Sequence, residues 1–189
     1  IYFFLILFYS QREMKSKEAE IRHIYYMYNI QQTLFDAYRQ PENILISLEM
    51  VARATTARFT LLAAIADNEV CRVFTWQEKP DEENSQKRMK QIAQVLAEDM
   101  MLRHYGYTVS AKGVSARAGN KPADKITELL DTFGVSTLMA IPIEGQEHHL
   151  IGVLAAIDMA HPCDTTDLLT CVAFSFSMAL YNIQAYETI

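Results

Sequence analysis

Residues 136–159 hold two apolar runs, STLMAIPI and LIGVLAAI, separated by the polar insert EGQEHH. Each run is shorter than a globular helix, and each is apolar at odd and even positions alike. Side chains alternate between the two faces of a strand, so a strand with one wet face alternates apolar and polar residues. Here Leu138 and Ala140 oppose Met139, Ile141 and Ile143, and Leu150, Leu154 and Ala156 oppose Ile151, Val153, Ala155 and Ile157. The pattern predicts a hairpin of central strands covered on both faces, closed at Glu144–Glu147 by a short Gly-containing turn. Residues 59–66 form a third run of the same kind, and residues 70–76 pair with it across Asp67-Asn68. Residues 107–110 read as a short edge strand. A sheet greasy on both faces needs helices on both sides, which predicts a three-layer α/β/α sandwich with a mainly antiparallel sheet.

Helical spacing supplies the cover. Residues 42–54 place Ile44, Leu45, Leu48 and Val51 on one stripe behind Pro41. Residues 85–103 carry Met89, Ile92, Leu96 and Met100, and residues 122–133 carry Ile126, Leu129, Leu130 and Phe133 before Gly134. Asp164-Thr165-Thr166-Asp167 resembles a capping box, opening a helix that runs to about Tyr186.

Two helices are apolar on more sides than one sheet can cover. Along the first, Met14, Ile21, Ile24, Tyr28, Phe35 and Tyr38 recur at three- and four-residue steps, interrupted by Lys17 and Gln31. Met27, Ile30, Leu34 and Ala37 form a second stripe beside it. The closing helix repeats this, with Leu169, Val172, Phe176, Ala179 and Ile183 on one seam and Cys171, Phe174, Met178 and Tyr181 on another. One seam of each helix serves the sheet and the other serves a partner. The expectation is a parallel homodimer through both helices, with Ile21, Ile24, Tyr28, Phe35, Phe174, Met178 and Tyr181 at its interface.

The chain has 189 residues, one ordinary domain plus an extension. Residues 1–9 are uninterruptedly apolar, and Arg12, Lys15 and Lys17 follow. That switch reads as the end of a transmembrane helix whose basic flank faces the cytoplasm. The domain plan is therefore 1–10 for the end of the membrane helix, 11–40 for a juxtamembrane signalling helix and 41–189 for the main domain. The expected location is the inner membrane with the domain in the cytoplasm, and the closing helix is expected to lead to an output domain.

From the sheet onward the sequence resembles the GAF family. The residues that carry this are Phe133-Gly134-Val135-Ser136-Thr137-Leu138-Met139-Ala140-Ile141-Pro142-Ile143, then Leu150-Ile151-Gly152-Val153-Leu154. They match the family's glycine, short strand ending in x-Pro-x, and strand opening Ile-Gly-Val-Leu. Residues 112–122 resemble its glycine segment ending in Gly-x-Pro, departing from it at Ala116 and Asn120. The resemblance covers roughly residues 34–186. It implies a sensory domain of a signalling protein, of the kind that precedes a diguanylate cyclase (GGDEF) or histidine kinase output. It also implies a small-molecule site between the sheet and the variable region, which for this chain means Trp76, Met100, His104, Tyr107, Leu130, Met139 and Ile141.

Chemistry is sparse. Three cysteines, Cys71, Cys163 and Cys171, lie far apart without CxxC spacing, as in a reduced cytosolic protein. Cys71 and Cys171 sit in apolar patterns that predict core positions. Free methionine sulfoxide reductases share the GAF fold but use cysteines of the variable region, where this chain has none. His148-His149 on a strand would point to opposite faces, which argues against a shared metal. His104 lacks the preceding cysteine of a bilin attachment site, and the cyclic-nucleotide signature of the family is not present. With net charge −6 and no basic patch, nucleic-acid binding has no support. The expectation is a fragment with no catalytic residues, metal or cofactor of its own. The competing readings are a standalone GAF-fold enzyme and the ligand domain of a transcription regulator.

Overall fold

The computed structural model describes residues 2–78, 83–103, 106–110, 113–116, 124–145, 148–160 and 166–187. Its elements are α1 (Tyr2–Phe35), α2 (Glu42–Thr55), β1 (Ala57–Ala66), β2 (Glu69–Gln77), α3 (Glu83–Arg103), β3 (Tyr107–Ser110), β4 (Gly113–Ala116), α4 (Asp124–Phe133), β5 (Thr137–Glu144), β6 (Leu150–Met159) and α5 (Thr166–Glu187). The strands form one six-stranded sheet in the order β2-β1-β6-β5-β3-β4. Every neighbouring pair is antiparallel.

β5 and β6 hold the middle of the sheet, as their two-sided apolarity requires. One face packs on α1, α2 and α5 around Phe176, Leu48, Leu62 and Leu154. The other packs on α3 and α4 around Ile92, Leu96, Ile126 and Val153. The result is three layers with a core on each side of the sheet. Tyr107–Ser110 is not an edge strand: β4 lies outside it, with Val109 opposite Val114. β4 is short and carries only Gly113, Val114, Ser115 and Ala116, so it has no apolar alternation to announce it.

Local chemistry fixes the connections. Asp67 and Asn68 take φ values of 52° and 62°, the positive pair that a two-residue hairpin turn needs. Gly134 ends α4 at φ 63°, with the Val135 amide donating to the Leu130 carbonyl at 2.9 Å. Asp158, at φ 55°, accepts from both the amide and the hydroxyl of Ser136, at 2.8 and 3.0 Å. Beside it, the Thr137 hydroxyl accepts from the Met159 amide at 2.6 Å. These bonds lock the start of β5 to the end of β6.

Gly152 lets α5 approach the sheet closely. A Cβ there would lie 2.7 Å from the Ala63 carbonyl oxygen and 2.9 Å from Leu180 Cδ1. α5 is also tied to the hairpin end, where the Ser177 hydroxyl donates to the Glu144 carbonyl at 2.8 Å.

α1 is one continuous helix of 34 residues, about 50 Å long at ~1.5 Å per residue. Ile30, Leu34 and Ala37 are buried in the core, so the sheet domain takes in the end of this segment. Among the described residues, Asp167–Ala185 is long and apolar enough to cross a membrane by composition. Half of that window is buried, and it is α5 of the domain core.

Candidate functional site

The seven residues expected around one ligand do not share one face of the sheet. Met100 on α3 and Leu130 on α4 belong to the core between those helices and the sheet. Trp76, Met139 and Ile141 pack on the opposite face, with α2 and α5. The cause is strand alternation: Leu138 and Ala140 face α3 and α4, so their neighbours Met139 and Ile141 must face away. Five of the seven thus fall into two groups on opposite faces of the sheet. Tyr107 lies in β3 and pairs with Ala140. His104 lies outside the described residues.

Both described groups are closely packed. Met100 is fully buried and Leu130 nearly so, as is Met139. On the polar side, His148 is exposed rather than on a strand, with positive φ, and its Nδ1 lies 3.0 Å from Glu144 Oε2. His149 packs against Gly145, whose amide donates to the His149 carbonyl at 2.9 Å. Among the described residues, no three His, Cys, Asp or Glu side chains converge as metal ligands.

The cysteines depart from their expected core positions. Cys71 is exposed on β2, its thiol 3.3 Å from the Ala64 carbonyl oxygen of the adjacent strand. Cys171 is exposed on the outer side of α5. Apolar neighbours at helical spacing do not by themselves bury a side chain: Phe174, Met178 and Tyr181 on the same stripe are exposed as well. Cys163 lies outside the described residues.

The two-seam helices separate by burial, except that Tyr38 of the outer stripe also packs, partly buried, against the core. Ile30 and Leu34 of α1 and Leu169, Val172, Phe176, Ala179 and Ile183 of α5 are buried against the sheet. Ile21, Ile24, Tyr28, Phe35, Phe174, Met178 and Tyr181, the residues expected to meet a partner, are all between 50% and 76% exposed. Phe35, Phe174 and Met178 line one open groove between α1 and α5, of about 250 Å³. The exposed stripes of the two helices therefore join into one surface at that level. A second groove, between α1 and α2, is lined by Tyr25, Tyr26, Ile46 and Met50 and carries the Glu49–Arg53 ion pair at 2.6 Å.

No family profile matches the sequence, and no curated protein matches it. Solved structures do. The GAF domain of a sensor histidine kinase from Pseudomonas syringae pv. tomato is 15% identical, with 95% of this chain and 98% of that one covered at a TM-score of 0.58. The phycoerythrobilin-bound GAF domain of a cyanobacterial phytochrome is 10% identical, covering 85% and 96% at 0.56. The free methionine-R-sulfoxide reductase of Neisseria meningitidis, in complex with its substrate, is 9% identical, covering 89% and 93% at 0.59. At such identities the likeness reports architecture and not chemistry. Three layers, an antiparallel sheet entered through α1 and closed by α5, and these superpositions together assign the chain the GAF fold.

Proposed function

We propose that this chain is the sensory and regulatory GAF domain of a signalling protein, dimeric through α1 and α5. In this reading it sits on the cytoplasmic side of a membrane anchored through residues 1–9. It couples a small-molecule or membrane signal to an output such as a GGDEF cyclase or a kinase. The observation that carries the reading is the exposed apolar stripe on α1 and α5, the helices that lead into and out of the sheet domain. A monomer that only bound or transformed a small molecule has no use for that surface.

The ligand site belongs on the α3 and α4 side, around Met100 and Leu130, with His104 and Tyr107 nearby in the chain. Methionine is the residue type that repacks most readily around a guest. Thermal shift against a panel of metabolites is the test. A ligand that raises the midpoint for the parent chain but not for Leu130→Trp, with the variant still folded by circular dichroism, supports the site. Shifts that survive Leu130→Trp but vanish in Trp76→Ala place the ligand on the other face.

The enzyme reading rests on the similarity to the methionine sulfoxide reductase. The exposed Cys71 and Cys171 lie on different elements, β2 and α5, and we assign the domain no turnover of its own. Methionine sulfoxide reduction with a thiol reductant checks this. Turnover abolished by Cys71→Ser or Cys163→Ser establishes the enzyme instead.

A further inference from the structure

We infer that Ser177 and Gln184 clamp the trailing half of α5 to one end of the sheet, and that this clamp opens while the leading half of the helix stays docked.

The clamp follows from how the strands pair. Arg72, Ala64, Gly152 and Ile143 stand opposite one another in a single row across β2, β1, β6 and β5. One step beyond that row the ladder breaks twice. Ala64 faces Arg72 but Ile65 faces Val70, so Cys71 is an extra residue in β2. Ile143 faces Gly152 but Glu144 faces Leu150, so Ile151 is an extra residue in β6. A bulge of this kind disrupts the ladder locally and leaves backbone groups to find other partners.

Side chains meet the carbonyls at both breaks, and two of those side chains come from α5. The Ser177 hydroxyl donates to the Glu144 carbonyl at 2.8 Å, and the Gln184 side-chain amide donates to the Ile65 carbonyl at 3.5 Å. The Cys71 thiol donates to the neighbouring Ala64 carbonyl at 3.3 Å. Ser177 and Gln184 lie about two helical turns apart, and therefore on the same face of α5. That interval along the helix is about 10 Å, which is also the span of two strand spacings, from β5 over β6 to β1. Between the two, Leu180 sits over Gly152, where a Cβ would stand 2.9 Å from its Cδ1. These three contacts set α5 across the row at one position along its own axis.

The two halves of the helix are held differently. Leu168, Leu169, Val172, Ala173 and Phe176 of the leading half are buried in the core. Leu180 and Ile183 of the trailing half are buried too, but with Gln184 they border a cleft of about 110 Å³ against Cys71 and Phe74. A second cleft, of about 590 Å³, lies between Gln184 and the Asp67-Asn68 turn. A hydrogen bond at the edge of such a cleft exchanges for one to water at little net cost. Segments held in this way open locally before the whole domain unfolds. Ser177 and Gln184 are thus positioning residues of the closing helix. The role of the clamp in passing a signal rests on the sensory reading above, whereas opening along α5 is measured without ligand or output, so the two stand or fall separately.

Amide hydrogen exchange followed by mass spectrometry on the full chain compares residues 178–187 with residues 168–175 in the parent, Ser177→Ala, Gln184→Met and Ser177→Thr. The expected result is exchange about fivefold faster in residues 178–187 of Ser177→Ala and Gln184→Met, as follows when one net hydrogen bond is lost from an opening equilibrium. Residues 168–175 keep the parent rate, and helicity by circular dichroism is unchanged. Ser177→Thr, which retains the hydroxyl, matches the parent throughout. Parent rates in residues 178–187 of both Ser177→Ala and Gln184→Met overturn the clamp. Acceleration by one common factor along all of α5 and the sheet overturns the separate opening, because the helix then comes away only when the whole domain unfolds.

Discussion

Ser47 is fully buried in α2, and its hydroxyl has no hydrogen-bond partner. One residue on, the Leu48 carbonyl accepts from the buried Thr60 hydroxyl of β1 at 2.9 Å, so the same helix face holds one satisfied and one unsatisfied polar contact. A buried hydroxyl that has lost water without gaining a partner costs about 1–3 kcal/mol. Ser47→Ala removes that cost and places a better helix former in the helix interior. The expected outcome is a gain of about 1 kcal/mol, read as a higher urea midpoint at unchanged slope. A loss of stability would show that the hydroxyl is satisfied in solution. Spacing alone puts Ser47 on the buried stripe, three residues after Ile44 and four before Val51; only the fold shows that no acceptor or donor meets its hydroxyl there.

At the scale of elements, α5 is a helix with two duties. Phe176 is fully buried against the sheet, whereas Phe174 is about 71% exposed only two residues away. Phe176→Ala leaves a cavity that the surrounding core cannot close, at a cost of about 3–5 kcal/mol. Phe174→Ala alters folding by about 0.5 kcal/mol or less, as surface changes do. The same change should weaken self-association several-fold. Chemical denaturation beside sedimentation equilibrium separates the two effects. Equal destabilisation by both variants would mean that α5 is enclosed on every side in solution. Both stripes were legible in the sequence, since each follows the helical repeat. The stripe that meets the sheet, Leu169, Val172, Phe176, Ala179 and Ile183, is the one the sequence pattern left for it.

At the scale of the whole molecule, α1 extends beyond the cover of the sheet domain, and its outer seam is uneven. Lys17 and Gln31 occupy positions on the seam between apolar residues. A polar or charged residue on such a seam lowers association while helping to define alignment. Lys17→Ile is therefore expected to tighten the dimer about tenfold, measured by sedimentation equilibrium at fixed ionic strength. An unchanged dissociation constant would place Lys17 outside the contact.

Burial on both faces of β5 and β6, the antiparallel hairpin and the paired stripes of α1 and α5 were all determined by the sequence. Each is a periodic property of neighbouring residues, although at the irregularity that opens β6 Leu150 joins the face of Val153 and Ile151 that of Leu154, opposite to the simple alternation. Three things were decided only by tertiary structure. Strand parity puts Met139 opposite Leu138, but only the placement of α3 and α4 says which of them shares a face with Met100. Apolar spacing marked Cys171 as dry, yet the sheet reaches only the other side of α5, and the thiol is exposed. Gly113–Ala116 becomes a strand by pairing with β3, a partner that small side chains without alternation cannot specify in advance. Local patterns fix what each residue needs; the fold alone determines which neighbour supplies it.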